Sequence, residues 1–214
     1  MENAIPLIFQ LAVLVMSVII HEVSHGFAAN ALGDPTAKHA GRLTLNPLPH
    51  LDPFGSIILP FLSVFLGGIF IGWAKPVPYN PALLRVRNQD LGSAIVGAAG
   101  PLANIAIAVF FALAVRFSPF WAGPLGSSVV GALELMTMIA VINLWLAAFN
   151  LMPIPPLDGS KVLFSVFPFA YGTRMFLEQY GFFILLFLVF VVRAPLHLLG
   201  NAVEAILRLL IGAG

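Results

Sequence analysis

The sequence predicts an all-α polytopic membrane protein with about four to six membrane segments, a re-entrant segment and short β-strands beside its polar centre. Three observations carry that expectation. Of 214 residues, 60% are hydrophobic and only 9% are charged, whereas a soluble globular domain is about half apolar and about one quarter charged. Several apolar stretches reach the roughly 20 residues that a helix needs to cross a bilayer. The breaks between them are short and rich in proline and glycine, so one embedded domain over 1–214 is expected. Its core covers about 5–170, and a C-terminal span with an amphipathic tail covers 171–214.

Segment A runs from about Ile5 to Leu32 and is apolar until His21, Glu22 and His25 near its end. Gly33-Asp34-Pro35 stops it, as Gly followed closely by Pro does. The start of the chain carries neither Lys nor Arg, and no small-residue cleavage site follows, so a retained first helix is expected. Residues 36–53 are polar, with Arg42 to Leu45 a candidate short strand. Segment B, 54–71, is interrupted by Pro60 and Gly67-Gly68. Gly72-Trp73-Ala74-Lys75-Pro76-Val77-Pro78 reads as an extended edge, because its prolines forbid a helix or a central strand.

Segment C covers 91–117 and segment D covers 128–151, joined by a Pro/Gly turn. Gly100-Pro101 with Asn104 reads as helix-start chemistry with close packing, since Pro favours a first helical turn; Asn104 is given no catalytic role. After D, residues 152–159 hold three prolines and cannot form a regular helix. Segment E covers 175–192. In the tail, His197, Asn201, Glu204 and Arg208 recur at spacings that place them on one helical face. Such a tail lies in the interface or closes the bundle.

The composition also excludes readings. A net charge of +1 without a basic cluster gives no support for nucleic-acid binding, and the absence of cysteine excludes disulfides and thiolate metal ligands.

His21-Glu22-Val23-Ser24-His25 is the pattern H-E-x-x-H. On a helix, two histidines four apart share a face and can present imidazole nitrogens to one metal, with Glu22 placed to take a proton from a water that the metal activates. A charged residue at mid-bilayer costs about 2.5–3.5 kcal/mol, so ionisable groups within a span are functional candidates by default. A catalytic zinc needs three protein ligands and an open position. The third comes from His39, His50, Asp52, Glu134, Asp158 or His197. Asp158 stands out because the proline-broken stretch before it suits backbone that lines a cavity at membrane depth. The competing role for Asp158 is a helix N-cap for residues 159–168, which is compatible with metal binding. His39 and His50 read as solvated loop residues, Glu134 as lying near the outer interface, and His197 as part of the tail.

These motifs resemble the site-2 protease family of intramembrane zinc metalloproteases. The resemblance rests on H-E-V-S-H at 21–25, Gly100-Pro-Leu-Ala-Asn104, and Asn150-Leu-Met-Pro-Ile-Pro-Pro-Leu-Asp-Gly159, in the family's order. Arg42-Leu-Thr-Leu-Asn-Pro47 and Gly72-Trp-Ala-Lys-Pro-Val77 resemble its compact, mostly prokaryotic members, without a PDZ or CBS domain. The resemblance implies that His21, His25 and Asp158 hold one Zn2+ per chain and that Glu22 is the general base and acid. It also implies that Asn150 helps hold substrate or oxyanion. The implied substrate is a transmembrane protein, single-span, cut within the lipid bilayer of a prokaryotic plasma membrane. Gly72 to Val77 is the candidate substrate-binding edge, since an extended edge can pair with a locally unwound helix.

If the ends of A and D share one metal, they lie on one side of the membrane. C is then the crossing between them, and B returns to the side it left. Lys38, Arg42, Lys75, Arg85 and Arg87 fall in the loops on that side, which the positive-inside rule places in the cytoplasm. Two other readings use the same residues: a metal or proton transporter, and an inactive zinc-binding scaffold. A transporter often shows repeated halves, and the sequence has none.

Overall fold

The computed structural model describes residues 4–52, 75–121, 127–167 and 169–212. Helix α1 spans Ala4–Ala31, α2 Gln89–Arg116 and α3 Ser127–Asn150. The short helix α4, Gly159–Val166, follows the proline-broken turn. Helix α5, Tyr171–Phe187, continues through a π-helical turn at Leu188–Val192 to a left-handed Arg193, and α6 occupies Ala194–Ile211. Five of these helices are long and apolar enough to cross a membrane, namely α1, α2, α3, α5 with its π turn, and α6. That agrees with a multi-pass, all-helical membrane protein.

Contacts across the bundle fix the directions. Near the C-terminal end of α1, the Leu32 carbonyl accepts from the Arg85 amide at 2.7 Å. About two turns earlier His25 meets Val96, and further in, Ser17 meets Asn104 and Asn143. Thus α2 runs antiparallel to α1, and α3 runs parallel to it. The ends of α1 and α3 reach the same side, as a shared metal requires. The seams are made of small residues, with Ala29, Ala108, Ala112, Ala140 and Ala147 all buried. Such residues let membrane helices approach closely where no hydrophobic drive separates helix from lipid. Large apolar residues point outward, Phe110 and Phe183 among them.

The polar side of the bundle is fastened by loop chemistry. Gly33 ends α1 at φ 101°, a conformation that favours glycine, and a Cβ there would sit 2.7 Å from Arg85. Asp34 is fully buried and accepts from the Thr36 amide and hydroxyl and from the Asn80 amide at 2.6 Å. Burial alone would raise its carboxyl; the bonds from Thr36 and Asn80 hold it below the ordinary value instead. Asn88 caps α2 through the amides of Asp90 and Leu91.

Residues 42–45 form bends rather than the expected strand, and no strand occurs among the described residues. The Arg42 amide donates to the Ala37 carbonyl and the Thr44 carbonyl accepts from the His50 ring, so loop contacts occupy backbone groups that a ladder would use. Arg42 is buried and donates to the Lys75 carbonyl at 2.6 Å. Segment B, 54–71, and Gly72 to Ala74 lie outside the described residues. Their flanks meet, with the Lys75 amide donating to the His50 carbonyl at 3.0 Å.

Two further expectations change. Gly100-Pro101 sits in the middle of α2 rather than at a helix start, because the run from Asn88 is continuous and capped well before it. His50 is buried rather than solvated: its ring nitrogen bonds the Thr44 carbonyl while its own carbonyl takes Lys75. His39 is exposed, as expected. The tail closes the bundle. Val203 and Leu207 of α6 pack on Ala108 of α2 and on Leu144 and Ala148 of α3.

Candidate metal centre

The four-residue spacing of His21 and His25 on α1 brings their rings to a centroid separation of 4.7 Å, edge to face. Each ring is fixed from behind. The Nδ1–H of His21 donates to Asn104 Oδ1 at 2.6 Å, and that of His25 donates to the Val96 carbonyl at 2.6 Å. With both protons on Nδ1, both Nε2 lone pairs face inward. The Asn104 orientation is itself determined, because its amide nitrogen donates to Asn143 Oδ1 at 2.7 Å and to the Ser17 carbonyl at 3.3 Å. Asn143 in turn donates to the Ser17 hydroxyl at 2.9 Å. Asn104 and Asn143 are fully buried, and this network converts a flexible imidazole into an oriented ligand.

Asp158 arrives from the turn after α3. It occupies the N-cap position of α4, yet its side chain makes no capping bond. Its Oδ2 lies 3.0 Å from His21 Nε2 and 3.1 Å from His25 Nε2, and its Oδ1 accepts from Lys161 Nζ at 2.9 Å. All three donors are buried, and they are the single group with this arrangement among the described residues. The other candidates for third ligand, His39, His50, Asp52, Glu134 and His197, are not part of it.

Glycines make the approach possible. A Cβ on Gly100 would stand 2.5 Å from His25 Nε2 and 2.7 Å from His21 Cε1. A Cβ on Gly97 would meet the Lys161 stem at 2.8 Å, and one on Gly159 would stand 2.2 Å from the Leu151 carbonyl oxygen. The turn that carries Asp158 therefore folds back onto the end of α3 while the histidines lie against a bare face of α2.

Two nitrogen lone pairs and one carboxylate oxygen converging within about 3 Å repel each other unless a cation sits among them. A tetrahedral zinc with bonds of about 2.0–2.1 Å holds its ligand atoms roughly 3.3 Å apart, within a few tenths of an ångström of the distances here. Two imidazoles and one carboxylate, with a fourth position open, form the donor set of a catalytic zinc.

The family model described as "Peptidase family M50" matches residues 9–192. The chain belongs to peptidase family M50, the site-2 proteases. Among curated proteins it is similar to "Putative zinc metalloprotease YwhC" of Bacillus subtilis, 36% identical over 82% of this chain and 77% of the relative. It is also similar to "Putative zinc metalloprotease Rip2" of Mycolicibacterium smegmatis, 34% identical over 69% of this chain and 53% of the relative. A third, "Putative zinc metalloprotease MJ0611" of Methanocaldococcus jannaschii, is 36% identical over 51% of each chain. The chain thus spans about three quarters of the Bacillus relative and about half of the other two. No solved structure matches. This M50 peptidase is a zinc metallopeptidase, and His21, His25 and Asp158 form the site that suits its metal.

The remaining expected site residues are placed as follows. Glu22, half-buried, accepts the Val77 amide at 2.8 Å through Oε2. Lys75, Pro76 and Val77 of the candidate edge form neither helix nor strand, and both amides of this stretch are already used, Lys75 on His50 and Val77 on Glu22; Pro76 has none. Gly72, Trp73 and Ala74 lie outside the described residues. Asn150 ends α3 and donates to the Leu146 carbonyl at 2.9 Å, within its own helix.

Sequence reasoning missed Ser17, Asn104, Asn143 and Lys161. The first three carried a usable signal: they are polar residues in the middle of apolar spans, to which the argument applied to His21 and Glu22 extends equally. Lys161 had another. It lies in the first turn of α4, where the helix dipole disfavours a cation, so it needs a negative partner.

Proposed function

We propose that this M50 peptidase hydrolyses peptide bonds of transmembrane protein substrates, single-span ones by the family resemblance, within or at the edge of the bilayer, in regulated intramembrane proteolysis. One observation carries the reading: the donor set is held jointly by a membrane-length helix and the turn after another, with the proton-transfer group Glu22 on the same helix. When bound, zinc supplies Lewis acidity toward water and the scissile carbonyl.

The chain's own residues supply the rest. Asn104 and the Val96 carbonyl orient the imidazoles. Lys161 holds the second oxygen of Asp158. Glu22 accepts a proton from the attacking water and returns it to the departing amine, kept in place by the Val77 amide. Asn150 helps hold the substrate, exchanging its bond to Leu146 for one to the peptide. An unwound substrate lies along Gly72 to Val77; with the Lys75 and Val77 amides occupied and the Lys75 and Pro76 carbonyls bonded to Arg42, the described part of that edge offers it the Val77 carbonyl. The joined flanks at His50 and Lys75 support a segment B that enters and leaves the membrane on one side. Lys38, Arg42, Lys75, Arg85 and Arg87 on that side support a cytoplasmic active site in a prokaryotic plasma membrane.

Proteomics of membranes from cells carrying wild type or Glu22→Gln tests this. Uncleaved membrane proteins accumulate in the variant while its zinc content matches wild type. Equal substrate profiles would defeat the reading, and zinc transport by Glu22→Gln would favour a transporter.

A further inference from the structure

Helix α6 carries a polar stripe that nothing in the peptidase reading uses. Its position along the bundle is fixed at three levels. Gly200 faces the Trp145 ring, Val203 packs on Ala108 and Leu144, and the Leu209 carbonyl accepts from Arg116 Nη1 at 3.1 Å. It therefore runs lengthwise beside α2 and α3 rather than flat on the surface. At 18 residues it is about 27 Å long, close to the thickness of a bilayer core.

His197, Asn201, Glu204 and Arg208 are all exposed on it. Glu204 and Arg208 pair with each other within the helix. Among the described residues, the side chains of His197 and Asn201 have no hydrogen-bond partner. The stripe is displaced by about a third of a turn from the Val203–Leu207 face, at 100° per residue. A charge near the centre of a span costs about 2.5–3.5 kcal/mol when it faces lipid, and such groups almost always face protein or water. The stripe lies on the flank of α6, beside the packed face, and among the described residues nothing covers it.

We propose that the cover is a second copy of the same helix, forming a two-fold dimer whose axis runs along the membrane normal. The spacing of four, three and four is that of a heptad seam, with Asn201 and Arg208 at a and His197 and Glu204 at d. Copies inserted in one membrane share an orientation, so a two-fold contact sets the two α6 helices parallel and each residue near its own counterpart. That arrangement suits these side chains. An amide is both donor and acceptor, so Asn201 bonds Asn201, and one buried Asn at an a position fixes register and oligomeric state in parallel pairs. Each Glu204 keeps its own Arg208, so the two pairs meet with no net charge. A polar seam of this kind complements itself, whereas a purely apolar partner helix would leave His197 and Asn201 without partners and bury the Glu204–Arg208 pair against hydrocarbon.

The chain has no cysteine, so single substitutions report contacts directly. Full-length Asn201→Cys and Ile206→Cys are oxidised in native membranes; Ile206 is exposed on a different face of α6. Asn201→Cys gives a disulfide-linked product of twice the chain mass, since seam positions bring Cα atoms within the 4.4–6.8 Å that the bond tolerates, and Ile206→Cys does not. Asn201→Leu, measured in detergent by mass photometry, loosens the dimer about 5- to 30-fold, the worth of an interhelical polar contact of about 1–2 kcal/mol. Its zinc content stays at the wild-type level. Cross-linking at Ile206 as strong as at Asn201, failure to cross-link at Asn201, or a wild-type chain monomeric at all concentrations overturns the proposal.

Discussion

Lys161→Met isolates the one contact that holds Asp158 from outside the metal. Lys161 Nζ lies 2.9 Å from Asp158 Oδ1, its stem fills the space that Gly97 leaves, and its ammonium sits 5.4 Å from the centre of the Tyr79 ring. Methionine keeps most of the stem and removes the charge. A hydrogen bond between charged groups contributes about 1.5–3 kcal/mol net. The Lys161 side chain is 30% exposed, which favours the lower half of that range, and relief of a cation at a helix N-terminus returns about 0.3–1 kcal/mol. The balance is about 0.5–2 kcal/mol, or roughly 2- to 30-fold weaker zinc binding, overlapping the lower end of the 10- to 100-fold known for groups behind metal ligands. Competition between the purified protein and a zinc chelator in detergent measures it directly. Lys161→Arg, which restores the charge, retains most of the affinity, and Asp158→Ala loses zinc outright. Should Lys161→Met bind zinc as tightly as wild type while Asp158→Ala does not bind it, Asp158 is fixed by the turn alone and the reasoning is refuted.

Other outcomes follow from the same geometry. Gly100→Ala forces a methyl to within 2.5 Å of His25 Nε2; we expect at least a tenfold loss of zinc affinity with helix content by circular dichroism unchanged. Val77→Pro removes the amide that holds Glu22. It lowers kcat by about one order of magnitude, as loss of a bond to a charged group does, while zinc content stays near wild type. Asp34 has a folded-state carboxyl below its ordinary value, so its stabilisation is present above about pH 4, its unfolded range, and fades as pH falls through the lower folded value. Limited proteolysis between pH 7 and 3 should open the 33–52 loop of wild type only at the acid end. Asp34→Asn should be cut at every pH.

The chemistry was legible because H-E-x-x-H needs only helical periodicity to bring two imidazoles together, and periodicity is local. The membrane class was equally plain, since hydropathy needs no knowledge of contacts. The common direction of α1 and α3 followed from one constraint, that their ends share a metal. The strand at 42–45 failed because the Arg42 amide and the Thr44 carbonyl find partners in Ala37 and His50, contacts that residue type only hints at. His50 failed because a polar loop offered no sign that its carbonyl would receive Lys75.

By itself, then, the sequence determined the lipid environment and the His21-Glu22-His25 constellation, since both depend on residue type and short spacing; Asp158 stood out among six candidates through its proline-broken turn and the family resemblance. Only the tertiary structure decided how those groups become a site. The fixed tautomers, the Asn104–Asn143–Ser17 network, the bare face at Gly97 and Gly100 and the grip of Lys161 join residues from α1, α2, α3 and α4. Such contacts arise when helices choose their neighbours, a choice made by packing across the bundle and not by any local pattern.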